Sequence, residues 1–193
     1  WITQPGTTQK LATMEGALMN RLQYRNFGTY QSMLCCHTVD VNGLLRAGVR
    51  WYELRKTTGA WFIYQQGTYS PGTTDNYWMA SIAQNGVGSI ALGFSVSSTS
   101  TYPSIRYTGR NQGDALGVMT QTEQSIFAGG FSQFGTHRWG DYTMMSVDPT
   151  DDKTFWYTNE YINSGDWSDW VTRIASFKID PYCLASGGCD EYI

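Results

Sequence analysis

Two carboxylates and an arginine in the last third of the chain are the residues best suited to chemistry. Arg138 and Asp141 stand three residues apart, and Glu160 follows on an alternating segment typical of a strand. Two carboxyl groups about 5–9 Å apart can hydrolyse a glycosidic bond. Arg138, Asp141 and Glu160 are therefore the candidate catalytic residues. For Arg138 and Asp141 we favour the alternative, an ion pair that shapes a loop.

Aromatic residues close to these charges indicate binding. Trp139 and Tyr142 flank Asp141, and Trp156 lies on the strand that also carries Glu160. Aromatic rings stack on sugars and are enriched in protein interfaces. The candidate binding residues, for carbohydrate or for another protein, are Arg138, Trp139, Asp141, Tyr142 and Trp156. Burial in a core is the alternative for each aromatic side chain.

Three aspartates follow the strand that ends at Val147. The carboxylate oxygens of Asp148, Asp151 and Asp152 are ligands that Ca²⁺ accepts, but their spacing is not that of an EF-hand loop. We favour a solvated turn in which Asp148 accepts hydrogen bonds from backbone N–H groups. No cofactor is expected, with Ca²⁺ at this turn as the alternative.

The four cysteines form two pairs with different expectations. Cys183 and Cys189 bracket a glycine-containing loop that lets their sulfur atoms meet, which predicts a disulfide in a tail of residues 183–193. Such a bond suits an oxidising compartment, so we expect a secreted protein. Cys35 and Cys36 are neighbours on a predicted strand. We expect one thiol in the core and the other facing outward, in preference to a strained bond between them.

Composition and charge indicate the fold class and exclude two classes of partner. Of the 193 residues, 41% are hydrophobic and 15% aromatic, but only 15% are charged, and 21 are glycines. Trp, Tyr and Thr favour pleated, half-buried surfaces and Gly marks turns, which predicts an all-β protein. The net charge of −3 offers no basic footprint for nucleic acid. No apolar run approaches the ~20 residues of a membrane span.

An internal repeat determines the predicted architecture. Met79-Ala80-Ser81-Ile82 returns without a gap as Met144-Met145-Ser146-Val147, at an offset of 65 residues (144 − 79). A fixed period indicates repeated supersecondary units. Each unit is predicted to contain short antiparallel strands joined by turns. These strands are predicted at residues 21–26, 32–39, 48–54 and 61–66, then 78–83, 89–97, 103–108 and 123–128, then 142–147, 154–161 and 170–178.

Two successive four-stranded meanders, followed by a third unit on the same plan, favour a β-propeller of four-stranded blades over a β-sandwich, since a sandwich gives no reason for an ungapped repeat. We place the blades at about residues 19–67, 77–131 and 138–180. They belong to one propeller segment of residues 1–182, with an additional strand within residues 1–11. Propellers use about 4–8 blades, so three leave open sheet edges. We expect another chain, or the remainder of the same precursor, to complete the propeller.

An arginine recurs between mostly apolar neighbours on the third strand of each unit, at Arg50, Arg106 and Arg173. A residue that obeys the repeat is expected to have a structural role. Ion pairs between blades, or stacking of the guanidinium group on Trp and Tyr, would recur in this way.

The segment that begins at Ser146 resembles the Asp-box, the Ser-x-Asp-x-Gly-x-Thr-Trp hairpin of sialidase-like and related secreted propellers. It matches at Ser146, Asp148 and Thr154-Phe155-Trp156, but it is longer and lacks the central glycine. The pattern over residues 138–158 is similar to propeller-type regions of large secreted bacterial proteins, and the resemblance covers residues 19–178. It implies propeller blades, with Asp148 as a turn residue away from any catalytic centre.

Together these observations predict a secreted, non-catalytic propeller module that binds carbohydrate or another protein. Two alternatives stay open. One is a sialidase-like glycoside hydrolase, for which the resemblance implies arginines clustered around a substrate carboxylate, beside Glu160, Asp141 and a tyrosine. The other is a structural subunit of an extracellular assembly, which the incomplete blade count suggests.

Overall fold

A computed structural model describes residues 1–72, 74–164 and 170–179 and the backbone of residues 191–192. Within these residues the chain forms strands, turns and irregular segments and no helix, which confirms the predicted all-β class. Accordingly, none of them belongs to a helix of the length and apolarity needed to cross a membrane. The predicted disulfide between Cys183 and Cys189 lies outside the described residues.

The described residues contain twelve strands in three four-stranded antiparallel sheets, each built from consecutive strands. The first sheet contains β1 (Gln23–Asn26), β2 (Gln31–Asp40), β3 (Ala47–Lys56) and β4 (Phe62–Tyr69). The second contains β5 (Asn76–Gln84), β6 (Ile90–Ser97), β7 (Ser104–Arg110) and β8 (Gln124–Phe127). The third contains β9 (Met144–Val147), β10 (Phe155–Ile162), β11 (Trp170–Phe177) and β12 (Glu191–Tyr192).

The strands follow the repeat seen in the sequence. β6 and β10 coincide under the offset of 65 residues, since both their first residues (155 − 90) and their last residues (162 − 97) differ by that number. The fourth strand of the third sheet, β12, lies in the stretch that the sequence analysis assigns to a tail. It pairs with the edge of β11 at Ala175 and Ser176 and so covers part of that edge.

The second sheet is packed between the other two, and the alternation along β6 explains why. Leu92 and Phe94 point to one side, where they join a buried core with Leu34 and Trp51 of the first sheet. The other side of β6 carries small residues, including Gly93. Large side chains of the third sheet pack onto this smoother surface.

The contact between the second and third sheets is close. A Cβ atom at Gly93 would lie 2.5 Å from the ring of Tyr157, so only glycine fits there. Nearby, Tyr107 and Phe177 stack with their ring centroids 3.7 Å apart.

We call the face that each sheet turns toward the next sheet along the chain its front face, and the opposite face its back face. Among the described residues, the back of the first sheet and the front of the third have no sheet packed against them.

The three repeated arginines all lie on back faces. Arg106 is opposite Phe94, which packs toward the first sheet. Arg173 is opposite Asn159, whose side chain contacts the second sheet. Arg50 alternates with residues that face the second sheet, so its side chain lies on the open back of the first sheet. The arginines therefore share a structural position as well as a sequence position.

The first strands of the three sheets lie close together. β1 contacts β5, and β5 contacts β9. Arg25 in β1 forms an ion pair with Asp152, in the turn after β9. The backbone N–H of Gly86, in the turn of the second sheet, donates to the carbonyl oxygen of Asp152 at 2.7 Å. The hairpin turns of the second and third sheets are thus joined to each other, and β1 is joined to the turn of the third sheet.

The N-terminal segment pairs with itself. Ile2 and Leu11 exchange two backbone hydrogen bonds, of 2.8 and 3.0 Å, and form an isolated bridge. The additional strand predicted within residues 1–11 is therefore reduced to a single bridge pair. Both side chains are fully buried in a cluster that includes Trp78 and Trp139, so the segment covers the start of β5.

The side chains of Cys35 and Cys36 point to opposite faces of the first sheet, as predicted, but both thiols are free and buried, so the expectation of a solvent-exposed thiol is wrong. Cys36 belongs to the core between the first two sheets, and its thiol donates to the carbonyl oxygen of Ala80 at 3.6 Å. Cys35 points to the back face, opposite Tyr52, yet is only 6% exposed. Burial raises the pKa of both thiols, which keeps them protonated and unreactive.

Candidate functional site

A buried polar network fixes the third sheet to the second near the start of β9. Ser95 in β6 accepts hydrogen bonds from the indole N–H of Trp139 and from Nδ2 of Asn159, both at 3.0 Å. Asn159 also donates to the phenol oxygen of Tyr157 at 2.9 Å. A buried polar group without a partner costs about 1–3 kcal/mol. The network therefore holds the segment before β9 firmly against β6 and β10.

The loop of residues 138–143 has a conformation that its residues dictate. The hydroxyl of Thr143 can donate its single proton to the carbonyl oxygen of Gly140 at 2.8 Å or to Oδ1 of Asn159 at 3.1 Å. Gly140 has φ = +71°, and a Cβ there would lie 2.5 Å from Cγ of Met79. Tyr142 has φ = +72° and is 89% exposed. The loop thus projects Tyr142 to the surface from a rigid base.

A pocket of about 600 Å³ lies between this loop and the front face of the third sheet. Thr158 and Glu160 of β10 and Trp170 and Thr172 of β11 form one wall, with Glu160 directly opposite Thr172. The loop residues Arg138, Trp139, Asp141, Tyr142 and Thr143 line the other side. Sites for small ligands enclose about 300–1,000 Å³, so the volume is suitable.

Five of the six candidate site residues line this pocket, namely Arg138, Trp139, Asp141, Tyr142 and Glu160. They present different groups to it. Trp139 is buried and its indole N–H is used by Ser95, so it supports the wall. The charged groups and the exposed ring of Tyr142 remain available to a ligand.

Glu160 is the pocket carboxyl group with altered acidity. Burial raises its pKa from 4.5 to about 7; a hydrogen bond from the backbone of Gly140 opposes the rise, and the charge of Asp141 adds to it. None of the five ion pairs among the described residues includes Glu160. Glu160 is therefore partly protonated at neutral pH.

Arg138 and Asp141 form the ion pair that the sequence analysis favours, and they do so at the rim of the pocket. Nε of Arg138 donates to Oδ2 of Asp141 at 3.1 Å, and its Nη2 contacts the same oxygen. The Arg138 side chain is 79% exposed, so the pair adds little to stability. Its effect is to balance the charge of Asp141 beside the pocket.

Sequence reasoning missed several pocket residues, among them Trp170 and Thr172. Trp170 is opposite Ile162, so it shares the front face with Glu160 and Thr172. It is 57% exposed. The alternation along β11 places Trp170 and Thr172 on one face, but the sequence does not show that this face also carries Glu160.

Trp156, the sixth candidate, is not part of the pocket. Its indole N–H donates to Oδ2 of Asp148 at 3.0 Å, and Oδ1 of Asp148 accepts the backbone N–H of Thr150 at 2.7 Å. These hydrogen bonds lower the pKa of Asp148. Asp148 therefore has the turn role that the sequence predicts, and Trp156 braces that turn.

The other two aspartates of this turn are also engaged by the protein. Asp151 accepts the backbone N–H groups of Lys153 and Thr154, each at 2.9 Å. Asp152 pairs with Arg25. No group of three or more His, Cys, Asp and Glu side chains in the described part of the chain is placed to hold a metal ion. The carboxylates of Asp151 and Asp152 thus already have partners within the protein.

The repeated arginines do not converge on the pocket. The guanidinium of Arg50 lies 5.3 Å from the ring centroid of Tyr52 on the first sheet. Arg106 pairs with Glu123 at 2.6 Å. Arg173 lies on the back of the third sheet, away from the front-face pocket. These arginines therefore do not form the cluster that a sialidase-like enzyme would use for a substrate carboxylate.

Fold and pocket together define an all-β protein of three stacked four-stranded sheets with a pocket on an open sheet face. No model of a known protein family matches the chain, and no curated protein matches it in sequence. Its function is therefore inferred from its own residues and geometry.

Proposed function

We propose that this chain is part of a secreted β-propeller that binds carbohydrate without altering it, through the pocket on the third sheet. One observation carries this proposal: exposed rings and hydrogen-bonding groups line the same pocket. The rings are those of Trp170 and Tyr142, and the polar groups belong to Thr158, Glu160 and Thr172. Ring faces stack on the C–H faces of sugars while hydroxyl and carboxyl groups bind sugar hydroxyls.

The propeller assignment is supported by the stacking of the sheets and by the resemblance of the turn at Asp148 to an Asp-box. The second sheet, buried on both faces, is what a blade between two neighbours requires. Arg106 faces the first sheet and Arg173 faces the second, whereas Arg50 has the equivalent position with no described sheet before it. A further blade against the back of the first sheet would give Arg50 the same environment.

Another chain, or the remainder of a longer precursor, supplies the missing blades. The exposed apolar residues Tyr24 and Ile63, 52% and 53% exposed, mark the surface of the first sheet that such a blade would cover. A ring closed in this way keeps the pocket as a cleft beside the third sheet. Thr158 and Glu160 are larger than Gly93 and Ser95, their counterparts in the repeat, and prevent equally close packing there.

Calorimetric titration of the chain with neutral, amino and acidic oligosaccharides tests the binding site. Trp170→Ala is expected to weaken binding about tenfold or more, because it removes the stacking surface. Phe62→Ala is the matched control, since Phe62 is 48% exposed on the first sheet, outside the pocket. Equal losses in the two variants, or binding of no sugar, would overturn the proposal.

Hydrolysis of a glycoside is the second candidate, and the acidity of Glu160 favours it. A carboxyl group with a pKa of about 7 beside a second carboxylate, Asp141, is suited to donate a proton to a leaving group. Release of new reducing ends from the same sugars, lost in Glu160→Gln, would establish an enzyme in place of a binding module. Unchanged sugars after prolonged incubation are expected.

Light scattering during size-exclusion chromatography tests the missing blades. We expect the chain to associate with itself or with co-purifying segments, because the back of the first sheet leaves apolar side chains such as Tyr24 and Ile63 uncovered. A well-behaved monomer of 21.7 kDa would contradict the need for a partner.

A further inference from the structure

The charges that line the pocket are unbalanced, and the excess is negative. Its charged lining residues are Arg138, Asp141 and Glu160. Arg138 and Asp141 pair with each other and cancel. Glu160 has no cationic partner among the ion pairs of the described residues. A carboxylate held away from water without a counter-charge is complementary to a ligand that brings one.

Two exposed rings share the pocket with this carboxylate. Trp170 is 57% exposed and Tyr142 is 89% exposed, and both line the cavity. The faces of Trp and Tyr rings attract ammonium groups. A carboxylate and two ring faces are together the chemical elements of an ammonium-binding site.

The residues that line the pocket also disfavour an anionic ligand. An acidic sugar would meet both Glu160 and Asp141, and the arginine in the lining, Arg138, is already paired. Thr158 and Thr172 add hydroxyl groups on the wall that carries Glu160. Hydroxyl groups donate and accept hydrogen bonds, so they suit the hydroxyls of a sugar ring.

The geometry points to a sugar with a free primary amine as the ligand, its ammonium group held by Glu160 beside the rings of Trp170 and Tyr142. This inference rests on the proposed carbohydrate binding and adds the class of sugar. A bare lysine side chain would use the carboxylate and the rings but would leave the threonine hydroxyls unused.

The ammonium group requires Glu160 to be ionised. Because burial raises the pKa of Glu160 to about 7, its affinity for a cation decreases as the pH falls through that value. The other titratable groups that line the pocket are the paired Arg138 and Asp141 and the phenol of Tyr142. The ligand amine gains protons as the pH falls, so a loss of affinity at low pH reports on the protein.

A tetramer of β-1,4-linked glucosamine and its fully N-acetylated counterpart provide the test, since they differ only at the nitrogen. Calorimetry at about pH 7 is expected to show about tenfold tighter binding of the free amine, and the advantage decreases at about pH 5.5. Glu160→Gln is expected to remove both the preference and its pH dependence while the acetylated tetramer still binds. Glu15→Gln is the control, because it removes an exposed carboxylate outside this pocket.

Equal affinities for the two tetramers in the unmodified chain would overturn the inference and leave carbohydrate binding intact. The same holds if the preference survives in Glu160→Gln. If Glu160→Gln does not fold, the pH dependence in the unmodified chain decides, since an advantage that persists at low pH contradicts the role of Glu160. Failure to bind any sugar overturns the proposed function as well. A lysine-rich peptide that binds through Glu160 while sugars do not would make the ligand a protein.

Discussion

The second and third sheets share one repeat, yet their front faces have become different surfaces. Gly93 and Ser95 on β6 correspond to Thr158 and Glu160 on β10, each 65 residues later (158 − 93 and 160 − 95). On the second sheet the small residues let Tyr157 lie directly on the backbone. On the third sheet the larger polar residues line a pocket. Two residue differences between these equivalent strands thus separate a packing surface from a surface that lines a pocket.

Ser95 and Glu160, which are equivalent in the repeat, also differ in how their polar groups are used. Ser95 is fully buried and accepts two hydrogen bonds, so its polarity is used within the protein. Glu160 carries a carboxyl group whose charge is not balanced by an ion pair among the described residues. A buried polar group with hydrogen-bond partners contributes to the stability of the fold. A buried charge without a counter-charge lowers that stability, and a ligand of opposite charge can offset the loss.

The largest effect is expected from placing valine at Gly93, compared with valine at its counterpart Thr158. Gly93→Val places atoms where the ring of Tyr157 lies and should lower the free energy of unfolding by about 3 kcal/mol. Thr158→Val, on the open face, should change it by less than about 0.5 kcal/mol. Urea denaturation measures both. Similar losses in the two variants would show that the front of the third sheet is packed like that of the second.

Removal of the hydroxyl at Ser95 is expected to have the next largest effect. Ser95→Ala leaves the indole N–H of Trp139 without its acceptor and removes one acceptor of Asn159, at a cost of about 2 kcal/mol. The counterpart Glu160→Ala should not destabilise the fold above neutral pH, because it removes an unbalanced charge. A stability loss in Glu160→Ala equal to that in Ser95→Ala would assign Glu160 a structural role.

The pH dependence of the free energy of unfolding also distinguishes Glu160 from Ser95. The pKa of Glu160 is raised on folding from 4.5 to about 7, so the folded state holds a proton that the unfolded chain releases. The resulting stabilisation is complete below pH 4.5 and is lost as the pH rises through about 7. Glu160→Gln should lack this decrease. Superimposable profiles for the variant and the unmodified chain would contradict the raised pKa.

The smallest effect concerns the turns that close the two sheets. Asn85 is buried, and its Oδ1 accepts the backbone N–H of Ser89 at 3.0 Å, so Asn85→Ala should cost about 1 kcal/mol. Asp148→Ala should cost less, because that turn is exposed to solvent and water can replace the lost hydrogen bonds. Melting temperatures rank the two variants. The reverse order would mean that the turn at Asp148 anchors the stack.

The sequence was sufficient for features that depend on local pattern. The alternation in Ile90–Ser97 predicts a strand with one large and one small face, and glycines and aspartates locate the turns. The offset of 65 residues predicts that β10 copies β6. The pairing of Arg138 with Asp141 also follows from their short separation.

Features that depend on pairing between distant segments could not be read in this way. Trp170 joins Glu160 because β11 pairs with β10 in one particular register, set by packing on the second sheet. Trp156 alternates with Glu160 on the same strand, yet its indole N–H is used by Asp148. Cys35 is buried on a face that period-two alternation alone assigns to solvent.

An NMR titration of the isotopically labelled chain with the glucosamine tetramer tests the central claim most directly, namely that the front of the third sheet binds sugar. We expect the indole resonance of Trp170 and the amide resonances of Glu160 and Thr172 to shift with added ligand. The amides of Gly93 and Ser95, on the equivalent but buried face, should not move. Two results would contradict sugar binding at this face. One is a set of shifts confined to the first sheet. The other is the absence of shifts at ligand concentrations that saturate the chain in calorimetry.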